Sequence, residues 1–176
     1  MAKRPSPLDR LIRHQPAGTV SWIGVRPKRH EPLVSVESVQ AVATQGLEGD
    51  HRMDKTPGSG RQVTVISREF IRQIEQHTGL SDISPATLRR NIVVEGVNLN
   101  ALRHQRFRVG GALFQATELC DPCTRMEEAL GVGGFAAMLG YGGLCAKILE
   151  SGAINVGDSI QAVFDDPIDD LFDGSA

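Results

Sequence analysis

Short runs of β-branched residues, each closed off by glycine or proline, recur along most of the chain. They limit what it can fold into. "GTVSWIGVRP" (18–27), "PLVSVESVQAVAT" (32–44), "QVTVIS" (62–67) and "NIVVEG" (91–96) read as strands. "RFRVGGALFQATEL" (106–119) reads as two strands, or one broken at Gly110-Gly111. "GLCAKILESGAINVGDSIQAVF" (143–164) predicts a closing hairpin about Ser151-Gly152. Helical patterns are isolated inserts among these runs. Ser67 is placed to cap "REFIRQIEQHTG" (68–79), where Phe70, Ile71 and Ile74 share a face and Gly79 terminates. Ser84 and Pro85 form a helix-start signal for 84–91, and two small helical patterns follow at 124–130 and 133–139. Helices that do not alternate with strands argue against a doubly wound α/β sheet. The pattern predicts a mainly β fold with small helices, arranged as a barrel.

At 176 residues the chain suits one domain, expected over 18–164. Residues 1–17 read as a basic arm with a short helix around Pro7–His14, and 165–176 as an acidic tail. A net charge of −2 asks for neither nucleic acid nor an anionic membrane as partner. No run approaches the ~18 apolar residues of a membrane span. The start, "MAKRPSPLDRLIRHQPAG", lacks the apolar segment of a signal peptide. Three unevenly spaced cysteines are a poor disulfide framework. Together these predict a cytoplasmic protein with reduced thiols.

Two of the cysteines lie in "ELCDPCTRMEEALG", from Glu118 to Gly131. One Cys-x-x-Cys pair is half of a structural zinc site; the only other thiol is Cys145, in a strand pattern, and the spacing of a helper such as His104 fits no familiar zinc module. A thioredoxin-like disulfide lacks its usual βαβ setting. A third chemistry follows from the local pattern. Thr124 and Glu127 have the spacing of a capping box, with Thr124 as N-cap. Cys123 then faces the positive end of the helix, beside Arg125, a setting that favours a thiolate. Cys120, at the end of a strand pattern, reads as a small buried apolar side chain.

Basic residues cluster at strand ends. "GLEGDHR" brings His51 and Arg52 beside two glycines, Arg61 stands at the entrance to a strand, and Arg89, Arg90 and Asn91 lie where 84–91 gives way to another. Guanidinium forks in such places suit a phosphate or carboxylate. Asp50, after Gly49, reads as a turn residue.

"GLEGDHR", "RQVTVIS", "LRRNIVVEG", "RFRVGGALFQATE", "PCTRMEEALG" and "GGLCAKILESGAINVGDSI" stand in this order over roughly residues 20 to 162. As an ordered set the sequence resembles the MOSC domain family, named for the C-terminal domain of molybdenum cofactor sulfurase. The resemblance implies a MOSC-type β-barrel that binds molybdenum cofactor (molybdopterin). It implies that Cys123 ligates the metal or carries sulfur, and that His51, Arg52, Arg61, Arg89, Arg90, Asn91 and Arg125 belong to the cofactor-binding surface. Many members carry an arginine after the cysteine helix; here "GFAAMLGYGGLCAKI" has none, and Lys147 is the nearest base. The sequence includes no aminotransferase-like, ferredoxin or flavin module, so a separate electron-donor reductase or sulfur donor is the expected partner. The resulting expectation is a molybdenum-dependent reductase of N-hydroxylated small molecules. Its alternatives are a sulfur carrier holding a persulfide on Cys123, and a non-catalytic module for a phosphorylated ligand.

Overall fold

The structure is a computed structural model that describes residues 11–165. Eleven short strands are present among these residues: β1 (Gly18–Val25), β2 (Val34–Val36), β3 (Ser38–Val42), β4 (Gly46–Leu47), β5 (Val63–Ser67), β6 (Ile92–Glu95), β7 (Arg106–Val109), β8 (Ala112–Leu119), β9 (Leu144–Glu150), β10 (Gly152–Asn155) and β11 (Ser159–Val163). The helices are α1 (Arg68–Thr78), α2 (Thr124–Leu130) and α3 (Gly134–Met138), with 3-10 turns at His51–Asp54 and Leu99–Leu102. Strands run in the order β11-β7-β8-β9-β5-β6-β1, and a β11–β1 pairing closes the ring into a seven-stranded barrel. β2 extends from β1, and β10-β3-β4 form a separate small sheet. Closure removes the sheet edges that an open antiparallel arrangement would leave unpaired. The barrel predicted from the sequence is therefore the fold observed.

Inward positions fill the barrel with aliphatic side chains around the stacked Phe107 and Phe114. A second cluster, including Ile66, Ile71, Ile74, Leu88, Met126 and Met138, lies under the helices. Ser67 caps α1 as expected, its Oγ accepting from Phe70 N at 3.1 Å, and Gly79 ends the helix at φ 73°. Ile71 and Ile74 are the buried part of that helix's apolar face.

Four local expectations are corrected. The 32–44 run is two strands, β2 and β3, which belong to different sheets. Residues 85–89 form successive turns, not a helix, tied by Thr87 N to Ser84 O and Arg89 N to Ala86 O. Arg89 then takes φ 59°, which no α-helix continues through. The 143–164 segment is not a hairpin. β9 pairs with β5 and β8, whereas β10 pairs with β3. At the bend Gly152 lies against the backbone of Gly111 so closely that a Cβ would collide with it. The break at Gly110-Gly111, by contrast, makes a tight hairpin between β7 and β8. Lastly, Cys123 is the N-cap of α2 and Thr124 its first helical residue. The Glu127 carboxylate reaches forward, accepting from Gly133 N and Phe135 N at 2.7 Å each, and so caps α3. Most of the expected Pro7–His14 helix, and the acidic tail beyond Asp165, lie outside the described residues; Leu11 and Ile12 are helical. Among the described residues no helix is long and apolar enough to cross a membrane.

The topology sets up the site. β5 and β6 are parallel neighbours, so both start at the same end of the barrel. β1 finishes there, with Ile23 opposite Ile92. Arg26, Arg61 and Arg90 thus arrive at one rim from three different strands.

Candidate functional site

A cavity of about 360 Å³ opens at this rim. His51, Arg52, Arg61, Arg89, Arg90, Cys123 and Arg125 all line it, joined by Arg26, Arg29, Lys55 and Cys120. The strand-end residues picked out by sequence are therefore brought together, with the exception of Asn91, which sits beneath the lining.

Asp50 organises this rim. It is 5% exposed. Its Oδ2 accepts from Arg26 N at 3.0 Å and from Asn91 Nδ2 at 2.9 Å, and its Oδ1 accepts from Arg52 N at 3.0 Å. His51 Nδ1 lies 3.4 Å from the same Oδ1. One buried carboxylate thus joins β1, the 3-10 turn and the start of β6. Its role is larger than the turn residue read from sequence. Asn91 completes the junction. Its Oδ1 accepts from Thr64 N and Thr64 Oγ1, and its Nδ2 also donates to Gly24 O. Both amide hydrogens of Asn91 are thereby used inside the fold.

The arginines divide into two groups. Arg90 is buried, and three guanidinium nitrogens each donate to a backbone carbonyl: Nε to Gly142 O at 2.7 Å, Nη1 to Leu88 O at 2.7 Å and Nη2 to Cys120 O at 3.2 Å. Arg61 is likewise engaged, with Nε donating to Cys145 Sγ at 3.0 Å and Nη2 to Cys120 Sγ at 3.8 Å. Burial is the largest influence and opposes its charge, but Cys145, Cys120 and Glu118 together outweigh it and raise the pKa.

Arg26 is the opposite case. It is 6% exposed, and its Nε is buried with no hydrogen-bond partner. Burial first, and then the nearby Arg89, lower its pKa to about 10. Arg89 is also lowered, by burial and by Arg125, while Cys123 acts in favour of its charge. Arg125 Nη2 approaches His30 Nδ1 at 3.2 Å. His51 is lowered mainly by burial, against the pull of Asp50. Several cations here face one another with little to neutralise them. Such an arrangement is costly unless an anion completes it.

Cys123 adds a soft sulfur to the cavity lining. It is exposed, and it makes no side-chain capping bond at the start of α2. Pro122, buried, fixes the approach. Cys120 and Cys145 are buried, and Arg61 reaches both sulfurs. Among the described residues no group of three or more His, Cys, Asp or Glu side chains converges to hold a metal ion unaided. A four-ligand zinc site is thus not formed by these residues.

Sequence reading missed Arg26 and Arg29. The signal was available in "VRPKRH", where basic residues stand at the end of a strand as Arg61 stands at the start of one. Comparison with known proteins agrees with the barrel. YuaD from Bacillus subtilis superposes with a TM-score of 0.72 at 18% identity, covering 83% of this chain and 95% of that one. YiiM from Geobacillus stearothermophilus gives 0.66 at 20% identity over 85% of this chain and 76% of that one. YiiM from Escherichia coli gives 0.63 at 18% over 83% and 70%. No curated protein sequence matches the chain. The family model of the MOSC domain matches residues 50–161, well over half the length and including the segments around Cys123, Arg61 and Arg90. The chain therefore belongs to the MOSC domain family.

Proposed function

We propose that this MOSC domain binds molybdenum cofactor in the arginine-lined cavity, with Cys123 as the protein ligand to the metal, and reduces N-hydroxylated small molecules with electrons from a separate reductase. One observation carries the reading: an exposed, unencumbered thiol stands on the wall of a cavity whose buried Arg26 has an unpartnered Nε. The donor set fits. A thiolate is a soft ligand, and guanidinium groups suit the oxygens of a phosphorylated pterin. When bound, the cofactor supplies the two-electron chemistry.

The residues of the chain bind and orient. Cys123 is held at the helix start by Pro122 and by the bond from Met126 N to Cys123 O at 2.8 Å. Arg26, Arg89 and Arg125 concentrate positive charge on the same wall and attract the anionic end of the ligand. Arg90 and Asn91 hold the walls in place, so their contribution is to shape, not to direct contact.

The test is metal content after expression with cofactor synthesis intact. Cys123→Ser should lose molybdenum while Cys120→Ala keeps most of it. Loaded wild type, given an artificial electron donor and a hydroxylamine-type substrate, should form amine that the Cys123→Ser protein does not. Molybdenum retained by Cys123→Ser would refute the ligand assignment. No amine above that control, together with a gain of one sulfur that dithiothreitol strips, would establish a sulfur carrier instead.

A further inference from the structure

Beneath the cavity lies a thiol pair that this reading does not use. Cys120 follows β8 and Cys145 lies on β9; they are 4% and 0% exposed, and both are free. The strand ladder sets Glu118 opposite Cys145 and Leu119 opposite Leu144. Cys120 N then donates to Gly143 O at 2.8 Å, carrying the pairing one step further. Alternation along β9 turns Leu144, Ala146 and Ile148 into the barrel core, which leaves Cys145 on the outer face. Cys120, two residues beyond Glu118 on the neighbouring strand, lies on that same face. Arg61 spans both sulfurs. Cys120 is also one of the residues that line the cavity.

The sequence pairs Cys120 with Cys123, two residues apart. In the fold they differ: Cys123 is exposed with extended backbone, whereas Cys120 is buried and shares Arg61 with Cys145 on β9. We propose that Cys120 and Cys145 are a dithiol–disulfide redox site, distinct from Cys123, that is oxidised by a hydroperoxide entering the cavity. Cys120 reacts first. Its thiolate attacks the outer peroxide oxygen, the O–O bond breaks, and an alcohol or water leaves after taking a proton. The product is a sulfenic acid on Cys120. Cys145 then attacks that sulfur. The S–S bond forms, the S–O bond breaks, and the thiol proton leaves with the hydroxyl as water. Two thiols are oxidised and one peroxide is reduced, and an external thiol reverses the step. Contact with Cys145, together with Arg90 and Arg61, holds the Cys120 thiol below its ordinary range, while its partner is pushed up. The first thiol is thus activated toward the peroxide.

The reduced full chain is treated with stoichiometric tert-butyl hydroperoxide, its remaining thiols are alkylated in denaturant, and the protein is mapped by mass spectrometry. We expect a linkage between the Cys120 and Cys145 peptides, with Cys123 outside it and reversal by dithiothreitol. Two of the three thiols are lost to alkylation in that linkage. The linkage should form equally in Cys123→Ser. Cys145→Ser should instead accumulate a dimedone-reactive Cys120, with circular dichroism confirming that it folds. A Cys120–Cys123 linkage, oxidation confined to Cys123, or no oxidation overturns the proposal. None of these outcomes depends on molybdenum, so a failure here is separable from a failure of the cofactor reading.

Discussion

Replacing Arg90 with methionine separates a clamp from a ligand residue. The side chain is 5% exposed and donates to three carbonyls on three chain segments: Leu88 before β6, Cys120 after β8 and Gly142 before β9. A hydrogen bond to a charged group contributes ~1.5–3 kcal/mol. A simple sum over three such bonds overcounts, because they share one desolvated guanidinium and are not additive. Removing the guanidinium leaves three buried carbonyls without that donor, at ~1–3 kcal/mol each and less than additively, so a loss of about 3–5 kcal/mol is expected. For a domain of this size each kcal/mol lowers Tm by about 2–4 °C, so the drop is on the order of 10 °C. Thermal and urea unfolding followed by circular dichroism measure it. Arg26→Met supplies the contrast. That side chain gives up no side-chain hydrogen bond at its buried Nε and is repelled by Arg89, so Tm should hold or rise while phosphate or pterin binding falls. If Arg90→Met kept its Tm within about 2 °C of wild type yet lost anion binding, the clamp assignment would be wrong and Arg90 would act as a ligand residue.

Two further outcomes follow from the same neighbourhood. A Cβ on Gly142 would press into Cys120 O and stand 3.3 Å from Arg90 Nη2, so Gly142→Ala should destabilise by ~1–3 kcal/mol in urea unfolding. Glu127, whose carboxyl is held below its ordinary range by Phe135 N and Gly133 N, stabilises α3 only while ionised. That stabilisation is present above the unfolded carboxylate pKa and is lost as pH falls through the lower folded value. The Tm gap between wild type and Glu127→Gln should therefore be full at neutral pH and close on acidification.

Strands and α1 were legible because their signals are local. Alternation, Ser67, Gly79 and the Gly110-Gly111 break each act within a few residues. The site was legible as a set of side chains arriving at strand ends. What each one does there was not, because its partners are distant in sequence. Arg90 and Arg61 look alike in the chain, yet one binds carbonyls 2, 30 and 52 positions away and the other spans two sulfurs 59 and 84 positions away. Asp50 read as a turn residue because its bond to Asn91, across 41 positions, has no local trace. The hairpin expected at Ser151 failed for a similar reason. Ser151 Oγ accepts from Ala43 N at 2.8 Å, and β10 finds its partner in β3.

Committed and uncommitted arginines divide the rim, and the division points to an anion. Arg90 and Arg61 have internal acceptors, so their burial is compensated without any ligand. Arg26 does not, although it is the more deeply desolvated of the cations on its side of the cavity. Asp50 is its nearest opposite charge. Both Asp50 oxygens already accept from Arg26 N, Arg52 N and Asn91 Nδ2, so the carboxylate aids Arg26 through its field and not by a side-chain hydrogen bond. Folding therefore holds a buried guanidinium beside like charges, an arrangement that costs stability and that a fold gains nothing from by itself. An anion entering from solvent would recover that cost on binding, and Cys123 stands on the same wall to meet whatever the anion carries.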